Sequence, residues 1–247
     1  MPPFEKVTIC IVSNNSANEF NRFAWMIEHN TTYPCKYHVF DNASTCEKAI
    51  TIGQTLWLNS KGVYDQVATP IKLGEAYNRL LETIDTEYCA FIPINNILSY
   101  GWIQHSLHQT QTIDGAGVSS IKSQNDNLYL SGLLSDEKIR LCYLQKDNNV
   151  GGMLFGKTGL LKDVGGFDTN NDIDGYEIEE ISHRIMLKGY INFYVQNAKR
   201  VELPIENSIL FPQKTEQTIY NYRNKLKDNF KKTNDGKRES AGYGIQD

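Results

Sequence analysis

Three groups of polar side chains in this sequence have the types and spacing for chemistry. The apolar segment YHVFD at 37–41 ends on Asp41 and runs into Asn42, Ala43, Ser44 and Thr45, so a carboxylate stands where a strand gives way to a turn. Such a group either closes an Asx-type turn or offers a strong acceptor to an N–H donor. In FIPINNIL, at 91–98, Asn95 and Asn96 follow another apolar run. Their amides can donate to a sugar or phosphate, lend a neutral carbonyl oxygen to a hard cation, or simply shape a turn. Glu177, Glu179 and Glu180 crowd the start of a helical segment shortly after Asp174. The positive end of a helix dipole favours carboxylates there, whether or not they are catalytic.

Alternating strands and helices must hold these groups. VTICIV at 7–12 is continuously apolar and rich in β-branched residues, as expected of a strand buried on both faces of a parallel sheet. A helix over 20–29 puts Phe20, Phe23, Ala24 and Ile27 on one face, and the strand at 37–41 completes a βαβ unit. A helix at 49–59, a strand at 65–68, an amphipathic helix at 73–85 and a strand at 88–92 follow. Further strands are expected at 116–121, 150–155 and 191–195, with helices at 157–164 and 177–188, the second closed by Gly189. The fold class is α/β with a mostly parallel central sheet, and ligands gather at the carboxyl ends of such strands. The turns after Val12, Phe40 and Ile92 are therefore expected to share one crevice.

The chain has 247 residues, 40% hydrophobic and 22% charged, which suits one sizeable domain over 1–212. The stretch 213–247 is polar and basic, expected to begin as a helix and to be partly flexible. Its lysines and arginines interleave with Tyr220, Tyr222 and Phe230, a pattern that fits a grip on an anionic partner or a solvated helix. A net charge of −4 argues against wholesale coating of nucleic acid. The apolar run after Lys6 is too short for a signal sequence or a membrane span, so a soluble cytoplasmic protein without a transmembrane segment is expected. The five cysteines are scattered, with no C-x-x-C pair and no histidine at ligand spacing, so buried free thiols are expected. No Ser-His-Asp set or glycine-rich phosphate loop is visible, which leaves hydrolase and P-loop chemistry unsupported.

Taken in order, VTICIVSNN, HVFDNAST, LGEAYNRLLE, EYCAFIPINNILSYGW and the block from Gly151 to Val195 resemble the family-two glycosyltransferases of GT-A fold, over roughly residues 5 to 205. The resemblance implies a three-layer, Rossmann-like domain. It implies transfer of a sugar from a nucleoside-diphosphate donor to an acceptor hydroxyl, usually with inversion, and usually with a divalent metal bridging the diphosphate. It implies that Asp41 receives the nucleobase edge, with Val12, Ser13, Asn14 and Asn42 lining the same pocket and Gly74 and Asn78 behind the diphosphate. Counting back from Trp102 puts Pro93 and Asn95 at the acidic positions of the D-x-D turn, so both carboxylates are missing. Asn95 is then the one candidate metal ligand, for Mg or Mn held weakly, while Asn95 and Asn96 could instead bind the donor directly. Aligning Arg184 and Gly189 puts Glu177 and Ile178 at the acidic pair that supplies the base. Glu177 is the expected base, with Glu180 and Asp174 in reserve, and Glu202 stands near the place of a late histidine ligand. The alternative is a catalytically silent domain of the same fold that binds a nucleotide sugar or glycan. The acceptor, whether glycan, protein or nucleic acid, is not written in the sequence.

Overall fold

The computed structural model describes residues 6–123, 152–169 and 175–203, together with positions 221, 224, 225 and 228. In chain order the elements are β1 (Val7–Ser13), α1 (Ala17–Asn30), β2 (Cys35–Asn42), α2 (Glu47–Ser60), β3 (Val63–Val67), α3 (Leu73–Thr83), β4 (Tyr88–Phe91), β5 (Asn96–Leu98), α4 (Trp102–Thr112), β6 (Ala116–Ser120), β7 (Leu154–Lys157), α5 (Thr158–Asp163), α6 (Glu177–Leu187), β8 (Ile191–Tyr194) and β9 (Arg200–Glu202). Seven strands form one sheet in the order β3-β2-β1-β4-β7-β6-β8, in which β7 alone runs against its neighbours. β5 and β9 make a separate antiparallel pair.

Strand alternation divides the core into two layers. On β1, Val7, Ile9 and Ile11 face one side, packing with Phe20, Phe23, Met26 and Ile27 of α1, Leu56 of α2 and Trp102, Ile103 and Leu107 of α4. Cys10 and Val12 face the other, packing with Leu73, Tyr77 and Leu80 of α3, Leu161 of α5 and Ile178, Ile181 and Ile185 of α6. A continuously apolar β1 is what two covered faces demand. Cys10 and Cys89 are buried free thiols, and burial raises the pKa of both, that of Cys89 to about 12. Among the described residues no helix is long and apolar enough to cross a membrane.

Four elements depart from the sequence reading, β9 among them. The turn of FIPINNIL is short, because Asn96 already opens β5, which pairs with β9 through Asn96↔Glu202 and Leu98↔Arg200. Helix α4 carries little signal in the sequence because WIQHSLHQTQT is polar overall; its buried side, Trp102, Ile103, Ser106, Leu107 and Thr110, includes two hydroxyls. The strand expected at 150–155 lies at Leu154–Lys157. Positions 150 and 151, Asp174, Cys142 and most of 213–247 lie outside the described residues. Of that C-terminal stretch, positions 221, 224, 225 and 228 are helical, and Lys225 Nζ pairs with Asp168 Oδ2 at 2.6 Å.

His38 of β2 is buried, with Nδ1 2.9 Å from Thr83 Oγ1, and burial lowers its pKa from 6.5 to about 4. Above the unfolded value the ring is neutral in both states. As pH falls from 6.5 toward 4 the unfolded chain takes up a proton that the folded chain refuses, so stability declines across that window. Thermal melts at about pH 7 and about pH 5 should show this decline, and His38→Gln should flatten it. An unchanged pH dependence in that variant would show that other groups carry it.

Candidate active site

Because β1, β2, β3 and β4 are mutually parallel, their carboxyl ends lie along one edge of the sheet, with Ser13 and Asp41 as direct cross-strand partners. The turns after β1 and β2 are laced together. Asn14 Nδ2 donates to the Asn42 carbonyl, the Asn15 N–H donates to Ser44 Oγ, and Asn15 Oδ1 accepts from the Thr45 and Cys46 N–H groups at 2.7 and 2.9 Å. The Asn42 amide clamps Ile71 through its N–H and its carbonyl, both at 2.8 Å, and so fixes the approach to α3. The Asp41 carboxylate is 1% exposed; Oδ1 accepts from the Ser44 N–H at 2.8 Å and Oδ2 from the Tyr64 hydroxyl at 3.0 Å. Burial, and then the Asp41 charge, raise the pKa of Tyr64, so its hydroxyl stays protonated and donates. Beside it, Ser13 Oγ is buried without a hydrogen-bond partner among the described residues. A buried hydroxyl left unpaired costs about 1–3 kcal/mol, so such groups mark places where a ligand can supply the missing bond. The Val12 side chain belongs to the core.

The second group of residues gathers where α3 meets α6. Tyr77, Phe91 and Phe167 form an aromatic trio with ring centroids 4.7–5.1 Å apart. Asn78 grips the Phe167 backbone from both sides, accepting from its N–H at 2.7 Å and donating to its carbonyl at 2.8 Å. Its amide is thus committed to holding the 167–168 turn. That turn lies flat on Gly74, where a Cβ would overlap the Asp168 carbonyl; Gly74 is needed for this close approach. Glu177 follows directly, its Cγ 3.7 Å from the same Cβ position and its two carboxylate oxygens accepting from the Gly175 N–H at 3.2 and 3.1 Å.

Glu180 has a different setting. It is fully buried and held by Arg184 through Nε at 2.8 and 2.9 Å and Nη2 at 2.7 Å, while Arg184 also donates to the carbonyls of Val164 and Gly166. This fork ties α6 to the end of α5, which makes Glu180 a fold-holding carboxylate. Ile178, at the second position of the acidic pair to which the resemblance aligns this helix, packs in the core with Ile181 and Ile185.

At the third group the structure adds a residue that the sequence reading missed. Arg200, 3% exposed, donates from Nη1 to Asn96 Oδ1 at 2.7 Å and to Glu202 Oε2 at 3.3 Å, and from Nε to the Ile121 carbonyl at 2.9 Å. It also bridges to Ser123, and Gly152 lies so close, at φ +79°, that a Cβ there would overlap the guanidinium. Asn95 donates to Glu202 Oε1 at 3.4 Å and to the Leu203 carbonyl at 3.2 Å, and its Oδ1 accepts from Asn96 at 3.0 Å. The turn therefore offers a metal no carboxylate of its own, its amide oxygens are engaged, and a guanidinium stands against it. Among the described residues no group of three or more His, Cys, Asp or Glu side chains gathers around a common point. This donor set does not fit a resident hard cation. The sequence signals for the missed residues were slight: an arginine in KRVEL, and Tyr64 on the strand beside Asp41.

No family model and no curated protein matches the chain. Solved structures do. The mannosyltransferase PcManGT from Pyrobaculum calidifontis, in complex with GDP-Man and Mn2+, superimposes with a TM-score of 0.63 at 16% identity over 84% of this chain and 59% of its own. Residues 1–349 of S. aureus TarS in complex with UDP-GlcNAc give 0.64 at 13% identity over 81% and 60%. GalNAc-T7 with UDP, GalNAc and Mn2+ gives 0.66 at 13% identity over 92% and 48%. The fold is that of the GT-A glycosyltransferases, and the chain spans about half to three-fifths of the length of these structures.

Proposed function

We propose that this domain transfers a sugar from a nucleoside-diphosphate donor to an acceptor hydroxyl, with inversion. The observation that carries the reading is the laced pair of turns at the ends of β1 and β2, where Asp41 and the unpartnered Ser13 hydroxyl lie side by side. Asp41 accepts an N–H from the base edge, as uracil and guanine can supply, and Ser13 and the Asn14 backbone line the base and ribose. The diphosphate lies toward Asn95 and Asn96. Glu177, at the N-terminus of α6, takes the proton of the acceptor hydroxyl as it attacks the anomeric carbon, and the nucleoside diphosphate leaves from the opposite face. Mg or Mn is not held by the protein alone and enters, where it does, with the donor.

A silent nucleotide-sugar-binding domain is the second reading, favoured by the isoleucine at 178 and the neutral D-x-D turn. A panel of uridine, guanosine, cytidine and thymidine diphosphate sugars separates the two. Hydrolysis or transfer from any donor, persisting when EDTA is added, is the expected outcome. Binding without turnover across the panel would establish the silent reading, and total loss of turnover with chelator would show an obligatory metal.

A further inference from the structure

We propose that the basic C-terminal segment is an internal strap, docked through Lys225 on the acidic stretch that carries Glu177, and that Lys225 is a positioning residue for this base; the positioning role rests on the reading of Glu177 given above. The sequence sets the charges. Residues 168–180 carry six carboxylates, Asp168 and Glu177 among them, and no lysine or arginine, whereas 214–238 carry eight lysines and arginines against three carboxylates. Segments of opposite sign within one chain attract each other at high effective concentration. The structure records a meeting point: Lys225 Nζ lies 2.6 Å from Asp168 Oδ2, with the two side chains 24% and 9% exposed. A pair so shielded is screened less than one on an open surface.

The helical positions described in this segment, Asn221, Asn224, Lys225 and Asp228, fall at the i, i+3, i+4 and i+7 spacing of one helix face. All four are polar and the first three are partly buried, so charge and hydrogen bonding rather than apolar burial hold this face. What the strap steadies follows from what Asp168 touches. Its carbonyl lies where a Cβ on Gly74 would stand, and Glu177 Cγ is 3.7 Å from that same Cβ position. Asn78 of α3 holds the preceding Phe167 by its N–H and its carbonyl. The backbone beside Glu177 is thus gripped twice, by Asn78 from α3 and by Lys225 from the C-terminal segment. A misplacement of about 1 Å at a reacting group can cost about a hundredfold in rate, so the outer grip contributes to turnover without touching substrate.

Trypsin digestion and steady-state kinetics on the full chain test docking and positioning separately. Asp168→Asn keeps the shape of the side chain and removes its charge, so cleavage after Lys225 should rise at least about fivefold over wild type at low ionic strength. Equal cleavage in the two proteins would overturn the docking. In melts, Lys225→Met and Asp168→Asn together should lower the melting temperature no further than either alone, and additive shifts would overturn the docking as well. For positioning, the readout is hydrolysis of whichever nucleoside-diphosphate sugar of the panel the protein turns over. Lys225→Met should lower kcat about tenfold with the donor KM unchanged, and Lys225→Arg should keep most of the rate. In a Glu177→Gln background Lys225→Met should cost nothing further, because the base it steadies is gone. Unchanged kcat in Lys225→Met, or the same loss in the Glu177→Gln background, would overturn the positioning role. Absence of turnover in the wild-type protein would remove the base reading and the positioning role with it, while digestion would still decide the docking.

Discussion

Asp41→Asn is expected to weaken nucleotide binding roughly tenfold to a hundredfold while the domain still folds. The substitution keeps the shape of the side chain and one acceptor oxygen, so either the Ser44 N–H or the Tyr64 hydroxyl keeps its bond. It also turns one acceptor into an NH2 donor, which cannot receive the N–H of a base edge. A donor facing a donor in a desolvated pocket forfeits about 1–3 kcal/mol, roughly tenfold to a hundredfold in affinity. Asp41→Ala confounds the test, because it strips partners from Ser44 and Tyr64 together and should lower the melting temperature as well. Calorimetry with UDP and GDP beside a thermal melt separates the effects. Unchanged affinity in a well-folded Asp41→Asn protein would remove Asp41 from the pocket.

Glu177→Gln should lower sugar transfer about 10²-fold or more with donor affinity intact. Glutamine preserves an acceptor for the Gly175 N–H, so the start of α6 keeps its geometry while the basic oxygen is lost. Glu180→Gln should behave in the opposite way. Breaking its fork with Arg184 leaves a cation half-paired beside the Val164 and Gly166 carbonyls, and the loss should appear as a lower melting temperature. Steady-state transfer rates alongside melts for both variants provide the check. Near-normal transfer in Glu177→Gln, with loss in an Asp174→Asn protein, would move the base to Asp174.

The sheet was legible because its signals are local. VTICIV could only be a strand covered on both faces, and Ala76 and Leu80 mark the buried stripe of α3. The place of Asp41, at the end of such a strand, was legible for the same reason. The roles of Asn78, Glu180 and Arg200 were not, because each depends on a partner distant in sequence or on burial. Asn78 grips Phe167, the Glu180 fork is decided by the absence of water around it, and Arg200 reaches back to Asn96. A pattern of residue types cannot distinguish a carboxylate that takes a proton from one that anchors a helix. Helix α4 failed for a related reason, since Ser106 and Thr110 sit inside the core as hydroxyls that a hydrophobicity pattern counts as surface.

Arg200 also joins two points that the chain leaves far apart. Ser123, where the chain departs after β6, bridges to its backbone, and Gly152, where it returns before β7, lies on its guanidinium. One buried residue thus holds the end of the chain after β6 and the approach to β7 at once, so a change at position 200 is felt at two places along the sheet rather than one.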